Sequence, residues 1–198
     1  MKLYYSATSP YVRKVMACAI TRGLEGRIQL HPSNPHASPP DLLADNPTAK
    51  VPCLVTDDGM ALFDSPVICE VLDSIGEAPP LFPTTGAARW RALKFQAMGD
   101  GILDAAVPCR AELLRPKEAA RDAAIARHKA AIKRTVEALE LDPPHRHLDI
   151  GSIAVACALG YLDFRYGSEP WRPGHPKLTA WFEEFSKNPG IAQTVPKE

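Results

Sequence analysis

A proline-rich stretch at residues 77–86, holding Pro79, Pro80 and Pro83, divides two kinds of sequence. Proline fixes φ and lacks a backbone N–H, so it ends helices and is kept out of central strands. Before the stretch, short runs suited to strands are interleaved with helical faces; after it, only helical faces remain. The expected organisation is a mixed α/β domain over residues 1–76, a linker at 77–86 and an all-helical domain over 87–198.

Within the first part, residues 2–5 predict a strand, and the break at residues 6–10 leads into a helix with Val12, Val15, Met16 and Ala19 on one face. Gly23 is a natural stop for that helix. Residues 27–30 predict a second strand, and the Pro-, Ser- and Asn-rich residues 31–47 a long loop with one short helix near 41–44. Residues 53–56 and 60–63 flank Asp57-Asp58-Gly59, a hairpin connection with glycine available for positive φ. A helix carrying Val67, Ile68, Val71, Leu72 and Ile75 completes a βαβ, loop, ββα order. In the second part, helices are predicted over residues 90–114, 117–141, 149–164 and 177–186. The third of these is nearly all apolar and is expected at the centre of a bundle.

The 198 residues are 45% hydrophobic, and 23 basic residues balance 23 acidic ones. Zero net charge argues against nucleic acid as the main partner, because phosphate binding needs a basic surplus. The longest apolar run, residues 153–162, falls short of the ~20 residues a bilayer crossing needs. No secretory signal is read at the amino terminus. The expectation is a soluble cytoplasmic protein without membrane attachment. The five cysteines, Cys18, Cys53, Cys69, Cys109 and Cys157, form no C-x-x-C pair, so neither a disulfide framework nor a metal site is expected.

The prolines also mark candidate chemistry. Ser9-Pro10 and Ser65-Pro66 each open a predicted helix, serine as N-cap and proline as first helical residue. Both helices follow strands, at the end of a sheet where open α/β folds place ligands. Two helix N-termini there would form an anion-binding corner. Val51-Pro52 stands immediately before a strand, where proline is tolerated without special meaning. A cis bond at that position would instead turn the Val51 backbone outward, ready to pair with an extended peptide.

With these residues in view, the chain resembles the cytosolic glutathione transferases, the small bacterial members most of all. The resemblance rests on 8-TSPYVRKV-15, 46-NPTAKVP-52 and 153-IAVACALGYLDFR-165 in that order, and it covers essentially the whole chain. It implies a thioredoxin-like amino-terminal domain followed by an all-α carboxyl-terminal bundle. It also implies that Ser9 donates a hydrogen bond to the glutathione sulfur, that Val51, turned by Pro52, pairs its backbone with the cysteinyl unit, and that Lys50 lies near the glycine carboxylate. Asp64 and Ser65 would hold the γ-glutamyl end. Glutathione is then a cosubstrate, with no resident cofactor. A small hydrophobic electrophile is the second substrate, detoxification by alkyl or aryl transfer the activity, and a homodimer the assembly.

Thiol chemistry accounts for the mechanism so implied. A free thiol with a pKa of about 8.5 is only slightly ionised at neutral pH, and a helix dipole and a hydroxyl would stabilise its thiolate. Thr8 and Tyr5 are the alternative hydroxyls. Arg13, on the first turn, would add positive potential or serve as a solvated or domain-bridging cation. Where some relatives carry a redox cysteine, this sequence has Ser9, which favours thiolate activation over thiol–disulfide exchange. A glutathione-dependent isomerase or reductase, and a non-catalytic glutathione- or hydrophobic-ligand-binding protein, are the competing functions for this fold.

Several positions depart from the family pattern. Ala49 replaces a glycine, Asp64 a glutamate, and Asp149 and Ser152 exchange the usual order of a capping box. The segment at residues 141–148 is shorter than usual. Trp90, Trp171 and Trp181 are expected in packing. His145 and His147 belong to a surface loop. Tyr11, Asp100, Asp104, Tyr161 and Arg165 are candidates for lining a cosubstrate pocket or for helix packing.

Overall fold

A computed structural model describes residues 1–196. The chain forms two compact units, one of Met1–Thr84 joined by the residues from Asn188 onward, the other of Thr85–Lys187. No helix among the described residues is long and apolar enough to cross a membrane.

The first unit is built on a four-stranded sheet of order β2-β1-β3-β4, with β1 at Lys2–Tyr5, β2 at Gln29–Pro32, β3 at Cys53–Val55 and β4 at Ala61–Leu62. β1 runs parallel to β2 and antiparallel to β3, and β4 is antiparallel to β3. The second strand starts two residues later than its alternation suggests, because residues Glu25–Arg27 form a 3-10 turn and the register is set by Lys2 opposite Gln29. The hairpin closes through Thr56 N–H to Met60 C=O (2.9 Å), with Gly59 at φ 87°. Helix α1, Pro10–Thr21, buries Val12, Val15, Cys18 and Ala19. The short α2 at Pro40–Asp45 packs on β3, and α3 at Ser65–Asp73 packs on β3 and on α1.

A network fixes α2 to the sheet. The Tyr4 hydroxyl lies 2.8 Å from Asp45 Oδ2 and 3.1 Å from the Asp41 carbonyl, and Lys2 Nζ donates to both Tyr4 (2.6 Å) and Asp45 (3.1 Å). Burial raises the Tyr4 pKa, whereas the Tyr4 and Lys2 hydrogen bonds lower that of Asp45.

The four-residue α8, Pro189–Ala192, has no counterpart in the sequence reading and packs on α1. Arg13, for which solvation was one of the alternatives, is buried under it. Its Nη2 donates to the Ile191 carbonyl (3.3 Å) and its Nε to Thr194 Oγ1 (3.4 Å). A Cβ on Gly190 would lie 2.5 Å from the Ala17 carbonyl oxygen, so glycine permits this contact.

The second unit is helical: α4 Gly86–Leu113, α5 Ala119–Leu141, α6 Ile150–Arg165 and α7 Pro176–Phe185. α6 is buried over almost its whole length, as its apolar sequence requires. Two glycines let α4 and α6 approach: a Cβ on Gly99 would meet Ala154 backbone at 2.6 Å, and one on Gly151 the Ala92 carbonyl at 2.4 Å. Asp149 caps α6 by accepting from the Ser152 N–H at 2.8 Å. The Ser152 hydroxyl lies 2.9 Å from Asp149 Oδ1 and 3.0 Å from the His147 carbonyl, so it braces the approach to the helix. Of the inward face expected on α5, Val136 and Leu139 are buried, whereas Ile125 and Ile132 are partly exposed. Trp171 and Trp181 pack inside; Trp90, expected in packing, is 66% exposed.

Candidate functional site

The sheet order brings three separated segments to one end. β1 leads from Tyr5 through a turn to Ser9 at the start of α1. β3 runs the other way with Cys53 opposite Tyr4, so Val51-Pro52 enters the sheet at that same end. β4 reverses again with Leu62 opposite Leu54, and its exit delivers Asp64 and Ser65 there. The two helices therefore follow β1 and β4, strands separated by β3 and by about 10 Å at ordinary inter-strand spacing. The proline-led entry to β3 occupies the place between them.

Ser9 is the N-cap of α1 with Pro10 as first helical residue. Its hydroxyl accepts from the Val12 N–H at 3.3 Å, and its carbonyl from the Arg13 N–H at 3.1 Å. Accepting through a lone pair leaves the Ser9 hydroxyl proton available to a further acceptor. Thr8 and Tyr5, the other hydroxyl candidates, are also partly exposed, in the turn before α1 and at the end of β1.

At α3 the cap differs from expectation. Asp64, not Ser65, is the N-cap: its carbonyl accepts the Ile68 N–H at 3.0 Å, and Ser65 and Pro66 are already helical. The Asp64 side chain makes no capping bond and is exposed, without an ion-pair partner among the described residues. Ser65 is 1% exposed. As a residue of the first turn it presents an N–H that no carbonyl of its own helix can reach.

Val51 is buried, and the Val51–Pro52 bond is cis, as is Phe63–Asp64. Neither the N–H nor the carbonyl of Val51 has a backbone partner among the described residues. Lys50 beside it is exposed and forms no ion pair among them. Cys53 follows directly, and burial raises its thiol pKa to about 11, so at neutral pH it is a protonated, packed side chain. All five cysteines are buried, and none forms a disulfide. The site thus offers backbone donors and acceptors, a hydroxyl at one helix N-terminus, buried serine at another, and one free charge of each sign.

Sequence reasoning included Asn46 in the 46-NPTAKVP-52 motif without giving it a role, and the residue organises the loop before Val51. The residue is 1% exposed, its Oδ1 accepts from the Thr48 N–H (3.0 Å) and hydroxyl (2.8 Å), and its Nδ2 donates to the Lys50 carbonyl (2.9 Å). The available signal was Asn46-Pro47-Thr48, since asparagine readily bonds its own backbone two residues on. Ala49 adopts φ 54°, in the left-handed region that favours glycine.

Residues 8–75 match the family model for the glutathione S-transferase N-terminal domain and residues 122–184 that for the C-terminal domain. The Escherichia coli (strain K12) protein named "Uncharacterized GST-like protein YibF" is 32% identical, over 99% of this chain and 98% of that one. A glutathione transferase family member from Pseudomonas fluorescens Pf-5, solved with bound glutathione, is 41% identical and superposes with a TM-score of 0.94 over 100% of this chain and 99% of that chain. A glutathione S-transferase from Methylobacillus flagellatus KT, solved with glutathione bound, is 30% identical with a TM-score of 0.86, covering 99% of both chains. With both domains matched and relatives aligned end to end, the chain belongs to the glutathione S-transferase family, a thioredoxin-like domain followed by a helical one.

Proposed function

We propose that this protein is a glutathione transferase that binds glutathione along Ser9, Lys50, Val51-Pro52, Asp64 and Ser65 and conjugates it, through its sulfur, to a small hydrophobic electrophile. The observation that carries this reading is the state of Ser9: a helix N-cap whose oxygen accepts from Val12 and whose proton remains free for an anionic sulfur. The bound thiol loses its proton to solvent. The resulting thiolate accepts the Ser9 O–H and lies in the positive field of the α1 N-terminus, both of which favour ionisation.

The remaining contacts align the tripeptide. Val51 pairs with the cysteinyl unit through its N–H and carbonyl, in the manner of an added strand. The γ-glutamyl carboxylate takes the Ser65 N–H and hydroxyl, its ammonium faces Asp64, and the glycine carboxylate lies near Lys50. The thiolate sulfur then attacks the electrophilic carbon, a carbon–sulfur bond forms, and the leaving group departs with its electron pair. The buried, protonated Cys53 leaves that chemistry to the ligand's own sulfur.

A panel of electrophiles assayed with and without glutathione tests the reading, with thioether products identified by mass. Glutathione-dependent thioether formation is the expected result. Isomerised or reduced products would move the assignment to another glutathione-dependent reaction, and glutathione binding without turnover of any electrophile would make the protein a binding module.

A further inference from the structure

We propose that Asn46 is a positioning residue that aims the Val51 N–H at the carbonyl of the ligand's cysteinyl unit, so that the site selects peptide thiols over thiols lacking that carbonyl. The inference rests on the reading that glutathione pairs with Val51. Its physical basis is one shared peptide plane. The Lys50 carbonyl and the Val51 N–H belong to the same peptide unit, which is trans, since the cis bonds among the described residues are Val51–Pro52 and Phe63–Asp64. In a planar trans peptide the C=O and N–H point in opposite directions. The Asn46 Nδ2 bond to the Lys50 carbonyl, at 2.9 Å, therefore also fixes where the Val51 N–H points.

Asn46 is itself held from several sides. Its backbone N–H donates to the Leu42 carbonyl at 2.7 Å, and its carbonyl accepts from the Ala49 N–H at 3.0 Å. Its Oδ1 takes two bonds from Thr48, which leaves the amide nitrogen facing Lys50. An aspartate in the same shape keeps the acceptor and loses the donor, and its oxygen would face the Lys50 carbonyl oxygen. That repulsion rotates the Lys50–Val51 plane and takes the Val51 N–H away from the ligand. Because the side chain is buried, bulk water is a poor substitute for the missing donor.

The test compares Asn46→Asp with the unaltered protein by calorimetric titration of glutathione and of an analogue in which the cysteinyl carbonyl is reduced to a methylene. The unaltered chain is expected to prefer glutathione by about tenfold, the scale of one hydrogen bond in a binding constant. In Asn46→Asp the glutathione Kd should rise about tenfold while the analogue's stays unchanged. Equal losses for both ligands, or no loss, would overturn the role of Asn46 and leave glutathione binding standing. No binding to the unaltered chain removes the functional reading and this inference with it. A measurement on the unaltered protein covers a variant that does not fold. The Asn46 side-chain amide protons should exchange slowly before ligand is added, and the Val51 amide should slow at least about tenfold once glutathione saturates the site. A Val51 amide whose exchange ignores glutathione overturns the proposal.

Discussion

Arg22 and Asp73 face each other inside the first unit, Nε to Oδ1 at 3.5 Å with side chains 2% and 7% exposed, and between them they take up the backbone of the proline-rich segment after α3. Arg22 donates to the carbonyls of Ile75 (3.0 Å), Gly76 (3.4 Å), Ala78 and Pro79 (2.7 Å). Asp73 accepts the N–H groups of Leu81 (2.7 Å) and Phe82 (3.0 Å). Pro79, Pro80 and Pro83 have no N–H to satisfy, so a cation for the carbonyls and an anion for the few donors complete the segment.

Removing the anion leaves a buried guanidinium without its counter-charge. Asp73→Ala is expected to lower stability by about 3–5 kcal/mol, the range for breaking a buried pair from one side. Urea unfolding measures it. A loss below ~1 kcal/mol would mean that the carbonyls alone satisfy Arg22.

Ser9→Ala removes the hydroxyl proton proposed to face the thiolate and keeps the helix dipole. The pKa of bound glutathione should rise by about one to two units, the equivalent of a ~1.5–3 kcal/mol hydrogen bond to a charged group. Thr8→Ala and Tyr5→Phe should move it much less. Thiolate absorbance titrated against pH for the three variants decides which hydroxyl acts, and a larger shift from either alternative reassigns the role.

Ser65→Ala tests the other helix end. Its hydroxyl and N–H are proposed to hold the γ-glutamyl carboxylate, and only the hydroxyl is lost. Calorimetry should show glutathione affinity weaker by roughly 1–3 kcal/mol. An unchanged affinity would take the hydroxyl out of the binding set.

The α2 anchor should respond to acid. The Tyr4 hydroxyl and then Lys2 lower the Asp45 pKa from 3.8, so the carboxylate's contribution is complete above that value and is lost as pH falls through the lowered one. Asp45→Asn should melt about 2–4 °C below the unaltered protein at neutral pH, as expected for ~1 kcal/mol in a chain of this size. The gap should be full above pH 3.8 and close as the pH falls through the lowered Asp45 pKa. A gap that survives at the acidic end would show that the shape of the side chain matters, not its charge.

How much of this was legible beforehand follows from how local each signal is. The proline pattern placed α1, α3 and the entry to β3, because proline acts on its own φ and its own N–H, and Asp57-Asp58-Gly59 placed the hairpin. The cap of α3 slipped by one residue: Asp64 and Ser65 are both good caps, and only the Asp64-to-Ile68 bond separates them. Strand β2 was misplaced because its limits depend on β1, whose pairing its own alternation does not encode. Trp90 was read from its apolar character, which does not specify which side of α4 faces inward. The positions of Ser9, Val51 and Ser65 were visible; the loop clasp of Asn46 that serves Val51 was not, since it depends on a bond that closes only when the loop is folded.

The burial of Arg13 beneath α8 also orders events during synthesis. The groups that accept from Arg13, the Ile191 carbonyl and the Thr194 hydroxyl, are translated after every residue of the helical unit. A nascent chain that has emerged through Thr84 holds the whole sheet and lacks the partners of a guanidinium that the finished fold encloses. The first unit to leave the ribosome is therefore the last to be completed, and the helical unit is made as an insertion within it.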